Sequence, residues 1–226
     1  MIISGQAVPV QFRWNRRARR YILRVQPGGE VTVTVPRTGT LREAFAFAQR
    51  QRDWIERQRR KPALQPIPPA VWQAGSVIFF RGEPVLLTRE EAPAGGRVRF
   101  SDQTVPVPAA TDNLRPAIER HCWRLASTEL VQRTLEMAAG HQVEIRRIHV
   151  RNQRSRWGSC SARGTISLNW RLIQMPLAVR DYLILHELMH RREMNHSPRF
   201  WGWVAAVCPG YAQAEAWLRQ HGRSLR

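Results

Sequence analysis

The stretch LHELMHRREMNHS, Leu185 to Ser197, gathers three of the chain's seven histidines: His186, His190 and His196. His186-Glu187-Leu188-Met189-His190 spells HExxH within a helical pattern. Side chains four apart on a helix share a face, one turn apart. Two imidazole nitrogens can therefore reach one ion at about 2.0–2.1 Å. Glu187 lies about a third of a turn round from His186, awkward for a third ligand but well placed to meet water on the ion. The chemistry implied is hydrolysis, with two ligands, a general base and water activated by a metal. In a chain of this composition HExxH arises by chance with odds of roughly one in a hundred. A glutamate and a histidine in an otherwise apolar helix also need a reason, because buried charges are costly unless paired or bound to metal.

Two ligands are too few, since a catalytic zinc usually takes three and leaves a fourth place for water. His196 follows His190 too closely to face the same ion from a continuous helix, so the chain must turn sharply between them. Asn195 tolerates the left-handed conformation that ends helices. A helix ending near Met194, with the turn at Asn195, brings His196 back under the ion. Glu215, in the last predicted helix, is the alternative third ligand. One Zn(2+) is the expected cofactor, although another divalent ion fits the same donors. Glu187 would take the proton from water and deliver it to the leaving amine. Asn169, Arg156, Ser167 or a backbone N–H are candidates for holding substrate and its oxyanion. Ser159 and Cys160 sit in no GxSxG elbow, so nothing calls for a nucleophile.

These residues need a scaffold. The helix carrying HExxH should begin after Pro176 and run through His190, buried along Tyr182–Leu185. Ser197-Pro198 reads as a helix start, with Ser as cap and Pro at the first position, and a last helix spans about Tyr211 to His221. Upstream, GTISLNW is a strand with Ile166, Leu168 and Trp170 on one face, QVEIRRIHV is another, and a helix from about Asn113 shows Ile118, Cys122, Leu125, Leu130 and Leu135 near helical spacing. Earlier still, Tyr21–Val25 and Val31–Val35 alternate as a hairpin around Pro27-Gly28-Gly29. A helix from about Thr40 to Arg60 follows, with Leu41, Phe45, Ala48, Trp54 and Ile55 as its apolar side and Thr40 with Glu43 as a capping box. Lys61–Ala70 is too proline-dense for helix or central strand. The runs SVIFF, EPVLLT, RVRF and TVPV read as short antiparallel strands.

The expected fold is α+β: an antiparallel β-rich part at 1–110 with one helix at about 40–60 and a proline-rich crossing at 61–70, then an α+β part at 111–226. The 226 residues suffice for a sizeable core. Three cysteines with no CxxC argue against a disulfide framework or zinc finger and fit a reduced, cytoplasmic protein. No window approaches a membrane span. The formal charge of +19 attracts phosphates or acidic partners. Arg13, Arg16, Arg17, Arg19 and Arg20 cluster with Trp14, and Arg57, Arg59, Arg60 and Lys61 form a second patch. Lys61 is the lone lysine, so the arginine excess also has the look of a GC-rich genome.

Taken together, WGSCS, G.ISLN, DYLILHELMH and NHS..FW resemble the YgjP-like metal-dependent hydrolases, zincin-type relatives of the SprT-like and WLM groups. The resemblance extends to RRYILRV…GEVTVTVP, to DWIERQ and to CPGYAQAEAWLRQHG. It implies an N-terminal β-rich part and a small C-terminal zincin core, with His186, His190 and His196 binding zinc and Glu187 as base. It also implies that the strand at 165–170 is an edge beside the active site, where an extended peptide adds as a further strand. In HExxHxxGxxH enzymes a glycine makes the turn before the third histidine. Here Glu193 holds that place, so the turn must be built differently, at Met194-Asn195. The expected function is a zinc-dependent metallopeptidase. The alternatives are a nucleotide or phosphoanhydride hydrolase, whose arginines would hold phosphate, and a nucleic-acid-associated protein with a SprT-like metal core.

Overall fold

The computed structural model describes residues 2–3, 6–25, 29–60, 71–92, 95–109 and 111–225. The proline-rich crossing expected at 61–70, and Pro27-Gly28 of the expected turn, lie outside the described residues. The chain forms two units, Met1–Pro66 and Ile67–Arg226, so it divides at 66/67 and not near 110. The physical reason is the core. Ile78, Phe80, Val98, Phe100, Val105 and Val107 pack in one cluster with Ile118, Leu130, Ile166 and Leu188, so the strands before residue 110 complete the C-terminal core.

In the first unit, β1 (Ile2–Ile3) pairs with β2 (Gln6–Ala7), and β3 (Val10–Asn15), β4 (Ile22–Val25) and β5 (Val31–Pro36) form a sheet ordered β3-β5-β4. The β4–β5 hairpin is antiparallel as its alternation requires, while β3 joins β5 in parallel. The capping box forms: Glu43 N–H donates to Thr40 Oγ1 at 3.2 Å, and Thr40 N–H donates to Glu43 Oε2 at 3.0 Å. The single helix expected here is interrupted at Gln51, giving α1 (Leu41–Arg50) and α2 (Arg52–Arg60). Ala44 and Ala48 pack with Val33 and Val35, whereas Ile55 packs with Val8 and Val31. Leu41 and Phe45, expected on the buried side, are exposed; the small alanines face the sheet instead.

In the second unit, β6 (Val77–Phe80) and β7 (Glu83–Leu86) form a hairpin, and β8 (Thr88–Ala92), β9 (Gly95–Phe100) and β10 (Gln103–Val107) form an antiparallel sheet. Helix α3 (Arg115–Gly140) leads to β11 (Arg147–Arg151), β12 (Gly158–Cys160) and β13 (Thr165–Asn169). A 3₁₀ turn (Trp170–Gln174) precedes α4 (Leu177–Met189), α5 (Pro198–Val207) and α6 (Tyr211–His221). β13 lies between β11, to which it is parallel, and β12, to which it is antiparallel. It is therefore not the expected edge strand. Ile166 to Asn169 are all buried. Alternation along a strand reports which face is covered, not whether both flanks are hydrogen-bonded. The flank of the sheet beside α4 is β12.

The start of α4 is set by the β6–β7 turn. Arg81 and Gly82 both have positive φ, as a two-residue turn of this kind needs. Arg81 N–H donates to Ile173 O at 3.1 Å and Gly82 N–H to Gln174 O at 2.9 Å. A Cβ on Gly82 would stand 2.6 Å from Pro176 Cγ and 2.8 Å from its Cα, immediately before α4. Gly82→Ala should therefore cost at least about 2 kcal/mol, combining left-handed strain with overpacking. Gly75→Ala should cost only about 1 kcal/mol, since Gly75 shares the positive φ but has nothing within 4 Å of its Cβ site. Urea unfolding midpoints of the two variants check the difference; equal losses would mean that the contact with Pro176 does not matter.

Candidate metal centre

Helix α4 is buried from Tyr182 onward apart from half-buried His186, and it ends at His190, its C-cap. His186 and His190 lie one turn apart on it, with ring centroids 5.1 Å from each other. His196 joins them: each of the three offers a ligand atom, and these atoms lie within 4.8 Å of one another. His186 Nε2 is 3.0 Å from His196 Nε2. Two nitrogens bound tetrahedrally to one ion at about 2.0–2.1 Å stand about 3.3 Å apart, so the spacing suits a shared metal. His190 Nδ1 is 3.1 Å from Glu193 O; donating there leaves Nε2 with its lone pair. Burial, with the neighbouring His190 and His196, pushes the pKa of His186 down to about 4. It is thus a neutral imidazole at neutral pH, the form that binds metal. The residues present fit a metal ion.

His196 returns by a different route from the one expected. Among the described residues Asn195 has no positive φ. The chain tightens instead, with Arg191 N–H bonded to Leu188 O and Arg192 N–H to Met189 O, each at 2.9 Å. Asn195 N–H then donates to Glu193 Oε1 at 3.2 Å, and Ser197 N–H to Asn195 O at 2.8 Å. Glu193 thus supplies by side chain and carbonyl what glycine would supply by conformation. Arg191 anchors the helix end, donating from Nε to Glu144 O at 3.1 Å and from Nη1 to Ala162 O at 2.7 Å. Ser197 caps α5 through Phe200 N–H at 3.3 Å, and the Phe200 ring stacks on His190 at 4.4 Å.

Glu187 is 6% exposed. It has no hydrogen-bond or ion-pair partner among the described residues. Burial pushes its pKa up to about 7, against the opposing pull of Arg156. A cation at the triad would supply a counter-charge. The carboxylate is accommodated by a glycine: a Cβ on Gly158 would stand 2.5 Å from Glu187 Oε1 and 2.6 Å from its Cγ. Gly158 lies in WGSC and opens β12, and a glycine in a strand signals close approach of another group. Beside it, burial and the Glu187 charge raise Cys160 to about 11, so this thiol is no thiolate nucleophile at neutral pH.

The other candidates separate. Asn169 is fully buried; its Nδ2 donates to Gln153 O and Arg156 O, and its Oδ1 accepts from Arg171 N–H. It holds the 153–156 loop and caps the 3₁₀ turn, and both amide hydrogens are engaged, which leaves no donor for an oxyanion. Ser167 is buried in central β13, opposite His149 and Ser159. Arg156 is exposed and acts on Glu187. Glu215 is outside the histidine group; its Oε1 accepts from Tyr182 Oη at 3.2 Å, and that hydroxyl is 3.5 Å from His186 Nδ1. The place of Tyr182 in the site went unread in the sequence, though it lies one turn before His186 on the same face. Burial, then the Glu215 charge, raise its pKa, so the phenol keeps its hydrogen.

In the first unit, Arg13, Trp14, Arg16, Arg17, Arg19 and Arg20 are on β3 and the segment after it, all of them exposed. Arg57 and Arg59 lie on α2, whereas the Arg60 side chain and Lys61 lie outside the described residues. Cys122, Cys160 and Cys208 are unpaired. Among the described residues no helix is long and apolar enough to cross a membrane.

A family model described as YgjP-like, metallopeptidase domain, matches residues 19–221. No curated protein and no solved structure matches the chain.

The contact between Gly158 and Glu187 can be tested without any substrate. Gly158→Ala should destabilise the protein by about 1–3 kcal/mol through overpacking, and the loss should largely vanish when Glu187→Ala is also present. A double-mutant cycle by urea denaturation measures this, with a coupling above about 1 kcal/mol expected. Strictly additive losses would show that the glycine serves some other neighbour.

Proposed function

The chain belongs to the YgjP-like metallopeptidase family and is a metal-dependent hydrolase; on that premise we propose a zinc peptidase whose ion is held by His186, His190 and His196. The supporting observation is the convergence of three imidazoles beside Glu187, a buried carboxylate with no hydrogen-bond or ion-pair partner among the described residues. Three neutral nitrogen donors with a fourth place open suit catalytic zinc. When bound, the ion supplies a Lewis acid that polarises a carbonyl and lowers the pKa of water toward neutrality.

The chain's own groups do the rest. Glu187, one residue from His186 and walled by Gly158, accepts the proton of the attacking water on its carboxylate. It then carries that proton to the departing amine nitrogen. Arg156, exposed before β12 and acting on Glu187, supplies positive charge for the developing oxyanion. The substrate is an extended peptide. It adds to β12, whose far flank has no strand partner among the described residues and whose first residue, Gly158, touches Glu187. Strand addition uses the backbone donors and acceptors of such a flank and makes few demands on sequence. Three unpaired thiols suit a reducing compartment such as the cytoplasm.

The test is metal analysis with peptidase assays on an unfolded protein substrate. Wild type should hold one zinc per chain. Glu187→Gln should retain that zinc and lose at least about 10²-fold in kcat. His196→Ala should lose the zinc. Peptide cleavage by Glu187→Gln at the wild-type rate would overturn the mechanism.

A further inference from the structure

Building on the zinc reading, we propose that Tyr182 and Glu215 are positioning residues: a relay from His186 Nδ1 through the Tyr182 hydroxyl to the Glu215 carboxylate fixes which nitrogen of His186 faces the metal. Tyr182 and His186 are one turn apart on α4, and Glu215 reaches in from α6. The separations are 3.5 Å from Tyr182 Oη to His186 Nδ1 and 3.2 Å from Oη to Glu215 Oε1.

The hydrogens along this line can run in one direction only. His186 Nε2 faces His196 Nε2 at 3.0 Å, so Nδ1 is the outward nitrogen. To offer a lone pair at Nε2, the neutral ring must carry its hydrogen on Nδ1. Nδ1–H then donates to Tyr182 Oη, and the phenol donates its own hydrogen to Glu215. An ionised carboxylate only accepts, and it outcompetes a neutral nitrogen for the phenol's hydrogen. The reverse polarity would leave Glu215 without that donor and place a hydrogen on Nε2, pointing into the triad. Tyr182 is 3% exposed. Its ring meets His186 edge-on at 5.8 Å and stacks on Tyr211 at 6.4 Å, so the hydroxyl has a fixed aim. The other Glu215 oxygen is 3.8 Å from Arg219. Glu215 thus acts on the ion through two intervening groups, not as a ligand. His190 reaches the same tautomer through Glu193 O, so two of the three imidazoles are set by partners outside the triad.

Two readouts test the relay, neither of them activity. In the metal-free wild type, ¹⁵N NMR should find His186 carrying its hydrogen on Nδ1, whereas neutral imidazole in water prefers the other nitrogen. Tyr182→Phe keeps the ring, and Glu215→Leu frees the phenol to donate to Nδ1; both should shift His186 toward Nε2–H. Competition against a chromophoric chelator should show zinc affinity lowered at least about tenfold in both variants, with Glu215→Gln partly restoring it. Far-UV circular dichroism should stay at the wild-type signal. If His196→Ala loses zinc while Tyr182→Phe and Glu215→Leu bind it as wild type does, the relay is wrong and the zinc reading stands. If Glu215→Gln loses zinc as fully as His196→Ala while Tyr182→Phe keeps it, Glu215 is a ligand and the relay is again wrong. If all of them keep zinc, both readings fail. Nε2–H in the metal-free wild type overturns the relay by itself.

Discussion

Everything around the triad answers to one electrostatic demand, the burial of Glu187. A carboxylate in an apolar helix is tolerated only with a counter-charge or donors close by. Among the described residues Glu187 has no hydrogen-bond donor, and the pull of Arg156 does not offset the burial that raises its pKa. An ion held by His186, His190 and His196 would supply that charge from the next residue along the helix. Metal and base would thus be mutually dependent: the carboxylate would add negative potential where the cation sits, and the cation would stabilise an ionised carboxylate there. The surrounding devices serve that pairing. Gly158 clears the space, Arg191 secures the helix end, and the β6–β7 turn fixes where α4 begins.

The parts legible in the sequence were those governed by local rules. HExxH needed only helix periodicity, and the Thr40–Glu43 box and the Ser197-Pro198 start needed only capping chemistry. Non-local pairing was hidden. The central place of β13 depends on β11 returning in parallel beyond α3, which no alternation within Thr165–Asn169 could announce. The assignment of the 77–107 strands to the C-terminal core depends on contacts with residues such as Ile118 and Leu188, far along the chain. Leu41 and Phe45 looked like a buried face because they are large, yet the sheet approaches closely enough to favour alanines.

The turn before His196 failed to be read for a different reason. Residue propensities pointed to Asn195 and a left-handed backbone, the usual way to stop a helix. The molecule uses a side chain instead: Glu193 Oε1 takes the Asn195 N–H, while Glu193 O takes Nδ1 of His190. One residue therefore both bends the chain toward the third histidine and fixes the tautomer of the second. A glycine could do the bending and, through its carbonyl, the orienting, but it would lack the carboxylate that holds Asn195.

The choice between His196 and Glu215 bears on reactivity as well as geometry. Three imidazoles bring no negative charge, so an ion among them keeps its full power to polarise a carbonyl and acidify water. A carboxylate ligand would neutralise part of that charge. With Glu215 behind Tyr182, its charge reaches the ion only through a hydroxyl and an imidazole. On the proposed relay it would strengthen His186 as a donor while leaving Glu187 as the sole carboxylate beside the reacting water. In that arrangement proton transfer would belong to one group, and the more distant acid would do something separate, holding a ligand in the one tautomer that can bind.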